Sequence, residues 1–307
     1  MKSIFVSVVS YRDTDLQNTV DDLFAKAADP SRVFVGVYLQ IDNELDQDCL
    51  IRPRPNLRVE TIDAKDAKGA GYARSKVQAL WRGEDYFFQV DSHMRFIQGW
   101  DEILIDMHGR CPSKSVISTY PLPFTPPNTF NKDMYVVIKP KCFDTDGVLL
   151  QNSGMFPFTD QRLEQSAFVS AGMLFGPASI ITEVPYDPHI FFTGEEIMMG
   201  VRLWTHGYDI YIPNEAVAYH NYNLAPERPR IWKDVATQTK MSADSRARVL
   251  WFLGTKEFVG RDSLVEIDRY GLGKVRTLAE YEKFSELDFK NMRYRGLNLG
   301  KSDIDAK

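Results

Sequence analysis

Three residues that could ligate a divalent metal ion lie at the ends of two apolar segments. Asp91, Ser92 and His93 come directly after the strand-like segment YFFQV, and His220 ends the segment AVAYH. Side chains two residues apart at a strand end point to the same face, so Asp91 and His93 can ligate one ion. A carboxylate with imidazole suits Mn²⁺ or a similar ion, and His220 is the candidate third ligand.

The D-x-H spacing alone has a simpler explanation. Asp91 can cap the next helix and His93 can be an ordinary surface histidine, and for an isolated D-x-H triplet this is the more frequent case. The triplet here follows a predicted strand, and a second strand-end histidine occurs downstream. These two observations favour the metal site.

A candidate diphosphate site lies at the start of a predicted helix. Gly69 and Gly71 precede its first turn, and Arg74 follows them. Amide groups at a helix N-terminus attract anions, and an arginine adds positive charge. A glycine pair before a helix is more often only a turn, but the next strand delivers Asp91 and His93, which strengthens the diphosphate interpretation.

Two adjacent acids, Glu195 and Glu196, open another predicted helix after Thr193 and Gly194. Acids in this position can act only as helix caps that interact favourably with the helix dipole. They can also hydrogen-bond sugar hydroxyls or serve as acid, base or nucleophile. The residues alone leave these alternatives open.

The N-terminal third of the chain predicts the elements that would bring these residues together. The predicted strands cover residues 3–10, 32–41, 57–62 and 85–90, and the predicted helices cover residues 14–28 and 70–82. This alternation indicates an α/β fold, in which ligands collect at the carboxyl ends of the strands. We therefore expect Tyr11, Arg12, Asp13, Asp42 and Asp91 to share one crevice.

The rest of the chain is less regular. The predicted helices cover residues 99–111, 194–206 and 232–253, and the predicted strands cover residues 115–120, 136–138, 165–175, 210–213 and 216–219. Residues 121–131 contain four prolines within seven residues and are predicted to be a loop.

Composition excludes several classes of protein. The 307 residues are 44% hydrophobic and 26% charged with a net charge of −5, which is typical of a globular chain without a basic excess for nucleic acid or anionic membranes. The three cysteines lack C-x-x-C spacing, so a disulfide framework or cysteine zinc site is not expected. No signal peptide or membrane span is recognisable, which predicts a cytoplasmic protein without a membrane partner.

The motifs SYRD, DSH, SAGMLFGP and FTGEEIMMGVRLWTHGYD, in this order, resemble those of the GT-A nucleotide-sugar glycosyltransferases. The polypeptide N-acetylgalactosaminyltransferases are similar in using D-x-H and a later histidine for Mn²⁺. The opening IFVSVVSYRDTDLQNTV and the distal YGLGKVRTLAEYEKF resemble more closely the cytoplasmic N-acetylglucosaminyltransferases that modify hydroxyproline on a ubiquitin-ligase adaptor, and their bacterial and viral relatives.

This resemblance implies a GT-A fold, a mostly parallel sheet flanked by helices, and a role for each candidate residue. The implied ligands of Mn²⁺ or Mg²⁺ are Asp91, His93 and His220. The residues implied to contact the UDP-sugar are Ser10, Tyr11 and Arg12 at the uridine, Asp42 at the uracil edge, Arg74 at the diphosphate, Asp91 and Ser92 near the ribose and metal, and Gly172 beneath the sugar. Glu195 would bind sugar hydroxyls, and Glu195 and Glu196 are the candidate catalytic residues; the galactosamine enzymes have a different residue at the position of Glu196, so its role stays open.

The resemblance further implies a metal-dependent retaining transferase that moves N-acetylglucosamine from a UDP-sugar to a hydroxyl on a macromolecule, a protein by preference. Hydroxymethylated bases in DNA are the alternative acceptor. The basic segments at residues 228–230, 246–248 and 290–295 permit this alternative. A non-catalytic sugar-nucleotide-binding protein is the third hypothesis. A metal-dependent hydrolase would need a denser cluster of His and Asp.

We expect the catalytic domain to cover residues 1–223, with a helical extension at 224–307 packed on it.

Overall fold

The computed structural model describes residues 2–126, 129–130, 134–157, 163–223 and 228–295. The predicted order of strands and helices in the N-terminal third is confirmed. The elements are β1 (Ile4–Tyr11), α1 (Leu16–Lys26), β2 (Val33–Ile41), β3 (Leu57–Asp63), α2 (Ala70–Gln78) and β4 (Tyr86–Asp91).

The four strands of this part form one half of the main sheet. They are parallel and lie in the order β4-β1-β2-β3, with Val9 of β1 opposite Asp91 of β4. The other half continues from β4 in the order β12 (Met173–Pro177), β6 (Ser115–Ser118), β13 (Asp209–Ile212) and β11 (Glu164–Ser166). Strand β12 runs antiparallel to both of its neighbours, so the sheet is mixed.

Hydrophobic cores cover both faces of the sheet because successive residues of a strand point to opposite sides. Ile4, Val6 and Val8 of β1 pack in the core that contains residues of α1 and of α3 (Trp100–Gly109). Phe5 packs in the opposite core with residues of α2 and α5 (Glu195–Thr205). This arrangement of helices on both sides of a mixed sheet confirms the predicted α/β fold class.

A second, smaller sheet brings the candidate histidines together. Its order is β5 (Met94–Phe96), β14 (Ala218–His220), β7 (Leu122–Thr125) and β8 (Thr129–Phe130). His220 pairs with Met94 across β14 and β5, which places it beside His93.

The prediction that residues 121–131 form only a loop was wrong, because β7 and β8 lie within it. Leu122 and Phe124 are buried, whereas Pro123 between them is exposed, so alternate side chains support a short strand despite the prolines. Residues 127, 128 and 131 of the predicted loop lie outside the described residues.

The predicted strand over residues 165–175 is interrupted. It consists of β11 and β12 with a turn at Ala171 and Gly172 between them, where the Gly172 amide donates to the Ser170 hydroxyl over 3.0 Å. The short strand predicted at 136–138 is instead one arm of a long hairpin, β9 (Met134–Phe143) with β10 (Leu149–Pro157). The helix predicted at 194–206 is confirmed as α5.

The C-terminal part is mainly helical. After α4 (Ile180–Glu183), α5 and the last strands described above, it contains α6 (Ile231–Asp234), α7 (Gln238–Phe252), α8 (Ile267–Tyr270), α9 (Leu278–Ser285) and a small pair of strands, β15 (Leu287–Asp288) and β16 (Arg293–Tyr294). The Tyr281 hydroxyl of α9 donates to the Ala167 carbonyl over 2.6 Å, and Arg248 of α7 pairs with Asp187 at 2.7 Å. The boundary between residues 223 and 224 stays a prediction. None of the described helices has the length and hydrophobicity needed to span a lipid bilayer.

Candidate functional site

A cavity of about 690 Å³ opens at the carboxyl ends of β1 and β4. Strand ends of this kind are where ligands bind in open α/β sheets. The site residues predicted from sequence that line it are Tyr11, Arg74, Asp91, Ser92, His93, Gly172, Glu195, Glu196 and His220. Most of the predicted site therefore converges on one cavity.

The candidate metal ligands form a compact cluster on the cavity wall. The ligand atoms that Asp91, His93 and His220 offer all lie within 4.8 Å of one another. The rings of the two histidines are 4.4 Å apart between centroids and nearly perpendicular. Strands β4, β5 and β14 produce this cluster, because β4 carries Asp91 and the pairing of β14 with β5 brings His220 alongside.

The charges in the cluster suit a cation. Burial would raise the pKa of Asp91, but hydrogen bonding from His220 and the charge of Arg74 outweigh burial and hold the pKa well below its usual value. Burial lowers the pKa of His220, which favours the neutral ring that ligates metals. No hydrogen-bond partner from the described part of the chain reaches the buried Nδ1 atom of His220. An ionised carboxylate beside an unpartnered imidazole nitrogen fits a divalent ion.

Arg74 links the metal-ligand candidate Asp91 to the candidate catalytic acid Glu195. Its Nη2 lies 3.0 Å from Asp91 Oδ1, and its Nε lies 2.7 Å from Glu195 Oε1. Burial would lower the pKa of Arg74, but the two carboxylates reverse this effect and raise it. The Nη1 atom is buried and has no hydrogen-bond partner among the described residues.

The start of α2 does not offer the amides that its glycines suggested. The amides of Ala70 and Gly71 donate to the carbonyls of Phe191 and Ile190, over 2.7 and 3.1 Å. A Cβ on Gly71 would lie 2.4 Å from the Asp187 carbonyl oxygen. These glycines therefore permit a close approach of two backbone segments, and an anion would have to use Arg74 rather than these amides.

Glu195 begins α5 and is nearly fully buried. Its Oε1 accepts hydrogen bonds from Arg74 Nε and from the Tyr186 hydroxyl, the latter over 2.8 Å. Among the described residues, no donor reaches Oε2. Because Glu195 lines the cavity, Oε2 is available to accept a hydrogen bond from a ligand.

The donors that bind Glu196 within the described ranges are all neutral. Its Oε2 accepts from the Tyr120 hydroxyl and from Gln151 Nε2, and its Oε1 accepts from the Ala171 amide over 2.9 Å. Burial and the negative charges of Glu195 and Asp91 raise the pKa of Glu196 more than these hydrogen bonds lower it, and the net result is a pKa of about 7. Glu196 can therefore be protonated or ionised near neutral pH.

Three predicted nucleotide contacts, Ser10, Arg12 and Asp42, are not among the residues that line the cavity. Ser10 is buried with an unpartnered Oγ. Arg12 pairs with Asp46 at 2.7 Å, and the carboxylate of Asp42 accepts from the amides of residues 44 and 45. Their roles at the uridine stay predictions.

Several residues of the site carried little or no signal in the sequence. The position of Asp13 after the first strand predicts that it lies near the crevice, but the sequence does not predict its hydrogen bond with His93. Tyr120, Gln151, Tyr186, Tyr222 and Arg228 lie in irregular segments or in the hairpin, and none belongs to a recognisable motif. The Tyr222 ring packs on His220 with centroids 4.1 Å apart.

Comparisons with known proteins show the fold and the family of this chain. The solved structure of GalNAc-T7 with UDP, GalNAc and Mn²⁺ is similar over 93% of this chain with a TM-score of 0.61 and 13% sequence identity. The chain spans 58% of the length of that protein chain. This likeness confirms the predicted GT-A fold. No curated protein is similar enough to this sequence to count as a match.

The family model described as Glycosyltransferase (GlcNAc) matches residues 3–56 and 43–291. These two matches together cover most of the chain, including every element that lines the cavity. The chain therefore belongs to this family of glycosyltransferases.

Proposed function

We propose that this protein is a metal-dependent retaining transferase that moves N-acetylglucosamine from UDP-N-acetylglucosamine to a hydroxyl group on a protein, as the hydroxyproline-modifying enzymes that its sequence resembles do. The observation that carries the proposal is the Asp91, His93 and His220 cluster in a cavity that also contains Arg74 and Glu195. The similar GalNAc-T7 structure contains UDP, GalNAc and Mn²⁺, which supports a UDP-sugar donor.

Asp91, His93 and His220 would hold Mn²⁺, or Mg²⁺ in its place. The bound ion would act as a Lewis acid that offsets negative charge on the leaving diphosphate. Arg74 stands beside this cluster, paired with Asp91, and would contribute positive charge to the diphosphate.

The remaining contacts to the donor divide between the two ends of the cavity. Tyr11 lines the cavity at the end of β1 and would contact the uridine, with Ser10, Arg12 and Asp42 nearby. At the other end, Glu195 Oε2 would accept hydrogen bonds from sugar hydroxyls. Gly172 would leave room beneath the sugar because a side chain at this position would project toward Asp91.

The proposed reaction retains configuration by attack on the face from which UDP leaves. The bond from the acceptor oxygen to the anomeric carbon forms as the bond to the diphosphate oxygen breaks, and a phosphate oxygen takes the acceptor proton. The alternative is a covalent intermediate on Glu195 or Glu196. The hydrogen bonds that occupy Glu196 on both oxygens, and Glu195 on one, favour the first route.

Ion pairs within the basic segment at residues 246–248 favour a protein acceptor over modified DNA. Arg246 pairs with Asp144 and Asp146, and Arg248 is fully buried against Asp187. Positive charges that already pair with carboxylates contribute little to phosphate binding. We further propose, from the sequence, a cytoplasmic location, with residues 1–223 as the catalytic domain and residues 224–307 as a helical extension packed on it.

The test is UDP release from a panel of UDP-sugars in the presence of Mn²⁺ without acceptor. We expect slow hydrolysis of UDP-N-acetylglucosamine in preference to the galactosamine, glucose and galactose donors. In His220→Ala the rate should fall at least ~100-fold, because the loss of a ligand should cost more than the loss of an outer partner of a ligand. His189→Ala, which removes a partly exposed histidine paired with Glu266, is the matched control.

Full activity of His220→Ala in excess EDTA would disprove the metal proposal. Absence of UDP release with every donor would favour the non-catalytic hypothesis. The acceptor is tested separately by transfer of labelled sugar to a hydroxyproline peptide or to hydroxymethylated DNA, and labelling of the DNA alone would contradict the protein acceptor.

A further inference from the structure

Asp13 lies directly behind the proposed metal cluster and is almost completely buried. It is not among the residues that line the cavity, and only 3% of its surface is exposed. Its carboxylate is nevertheless the meeting point of three side chains that do line the cavity: Ser92, His93 and Arg228. A buried carboxylate with this many donors is a strong organiser of its neighbours.

The hydrogen bond between Asp13 and His93 determines which nitrogen of the ring carries the proton. His93 Nδ1 lies 2.8 Å from Asp13 Oδ2. An ionised carboxylate only accepts hydrogen bonds, so Nδ1 must be the donor. In a neutral ring the lone pair is then on Nε2.

Two further side chains, Ser92 and Arg228, lie near Nδ1 and also contact Asp13. The Ser92 hydroxyl also donates to Asp13 Oδ2, and Arg228 Nη2 lies 2.5 Å from the same oxygen. Arg228 Nη1 and Nη2 also lie 3.3 Å from His93 Nδ1, and a guanidinium can only donate, so these contacts compete with the Asp13 contact for Nδ1. The contact with Asp13 is shorter, at 2.8 Å, and it is the one that places the proton on Nδ1. Arg228 also balances the negative charge that would otherwise be buried alone.

We propose that Asp13 is the positioning residue of the metal site: it holds the His93 ring with Nδ1–H directed at its carboxylate, so that Nε2 is presented to a divalent cation. This inference rests on the metal site of the proposed function. Carboxylates behind ligating histidines commonly orient the ring and strengthen metal binding by 10–100-fold. Asp13 would thus affect the metal without touching it.

The test compares Asp13→Ala with Asp15→Ala. Asp15 is a nearby carboxylate in the same turn, and it pairs with Arg95 at 2.8 Å rather than with a candidate ligand. In Asp13→Ala we expect Mn²⁺, titrated alone and followed by electron paramagnetic resonance, to bind about 10–100-fold more weakly. In Asp15→Ala the affinity should equal that of the wild type.

A second measurement separates positioning from general damage. In metal-free protein labelled with ¹⁵N-histidine, nuclear magnetic resonance should show His93 as the Nδ1–H tautomer, and Asp13→Ala should lose this preference. Asp13→Asn, which keeps the shape of the side chain, covers the case in which the alanine variant does not fold, and should weaken Mn²⁺ binding in the same direction.

Wild-type tautomer and Mn²⁺ affinity in both Asp13 variants, with affinity lost in His93→Ala, would overturn the proposal. Weaker Mn²⁺ binding with an unchanged His93 tautomer would also overturn it, because Asp13 would then act only through its charge. If His93→Ala binds Mn²⁺ like the wild type, the proposed metal site itself fails. The tautomer measurement needs no metal, so it still decides whether Asp13 orients the ring.

Discussion

One side of the cavity carries the candidate metal ligand Asp91 together with Glu195, and we call it the metal side. Here Asp91 and Glu195 share the guanidinium of Arg74. On the hairpin side, Glu196 accepts hydrogen bonds from a phenol, an amide side chain and a backbone amide, and no cation reaches it among the described residues. Each side contains a partly exposed carboxylate, Asp91 on the first and Glu196 on the second. The difference is that the first side compensates its charges with a cation, whereas the second offers only dipoles.

This difference separates two glutamates that are adjacent in sequence. Glu195 is positioned by an ion pair, whereas the pKa of Glu196 rises to about 7. Neighbouring carboxyl groups in different surroundings commonly have different roles in an active site. Here Glu195 suits a hydrogen-bond acceptor of fixed orientation, and Glu196 suits a group that can donate or accept a proton near pH 7.

The largest effect should come from removing the shared cation. In Arg74→Met we expect the free energy of unfolding, measured by urea titration without metal or donor, to fall by about 3–5 kcal/mol, because two carboxylates lose their buried partner. Arg74→Lys should recover part of this loss, since one ammonium group cannot reproduce the forked contacts of the guanidinium.

Lys76→Met is the control for Arg74→Met, because Lys76 lies on the same helix and pairs with no carboxylate in the part of the chain that the structure describes. Its stability should change by less than about 0.5 kcal/mol. Equal destabilisation by both variants would show that the cation does not distinguish the two sides of the cavity.

The second effect concerns the side without a cation. The folded protein raises the pKa of Glu196 from 4.5 to about 7. Folding therefore favours the protonated form of Glu196. The contribution of this group to the free energy of unfolding is complete below pH 4.5 and is lost as the pH rises through 7. The difference in unfolding free energy between wild type and Glu196→Gln should change by about 3 kcal/mol across this range.

Urea titrations at several pH values between 4 and 8.5 measure this difference. Glu44→Gln, a change at an exposed glutamate, serves as the reference and should show no such pH dependence. A flat difference for Glu196→Gln would mean that folding does not raise the pKa of Glu196, and the contrast between the two sides of the cavity would then fail.

The sequence predicted the parts of this molecule that depend on local pattern. Apolar segments that end at Asp91 and at His220 predicted two strand ends that supply ligands to one metal ion. The structure brings these residues together, although β4 and β14 belong to different sheets. The family resemblance supplied the order of motifs, which the family match supports at the level of a glycosyltransferase. Pattern failed at residues 121–131, where alternate burial of Leu122 and Phe124 outweighed the proline content.

The parts that the sequence did not predict depend on contacts between distant segments. The pairing of Glu196 with Tyr120 and Gln151 joins a helix, a connecting segment and a hairpin. Likewise, the use of the Ala70 amide by Phe191 requires knowledge of how two remote segments meet. A periodicity within one segment contains no information about such partners.

The smallest predicted effect concerns the point where the two sides of the cavity meet. Gly172 follows Ala171, whose amide binds Glu196, and a Cβ on Gly172 would lie 2.9 Å from Asp91 Oδ2. Because Arg74 holds Asp91 in place, the carboxylate cannot withdraw without weakening that ion pair. Gly172→Ala should therefore cost about 1–3 kcal/mol of unfolding free energy.

Urea titration and Mn²⁺ binding of Gly172→Ala together show which side yields to the added methyl group. Weaker Mn²⁺ binding with an unchanged pH dependence of stability would mean that Asp91 moves. Unchanged Mn²⁺ binding with an altered pH dependence would mean that the turn at Ala171 moves and alters Glu196. Gly109→Ala is the control, since no atom lies within 4 Å of its added Cβ and alanine favours the helix. Equal stability of Gly172→Ala and wild type would show that the two sides are not in tight contact at this position.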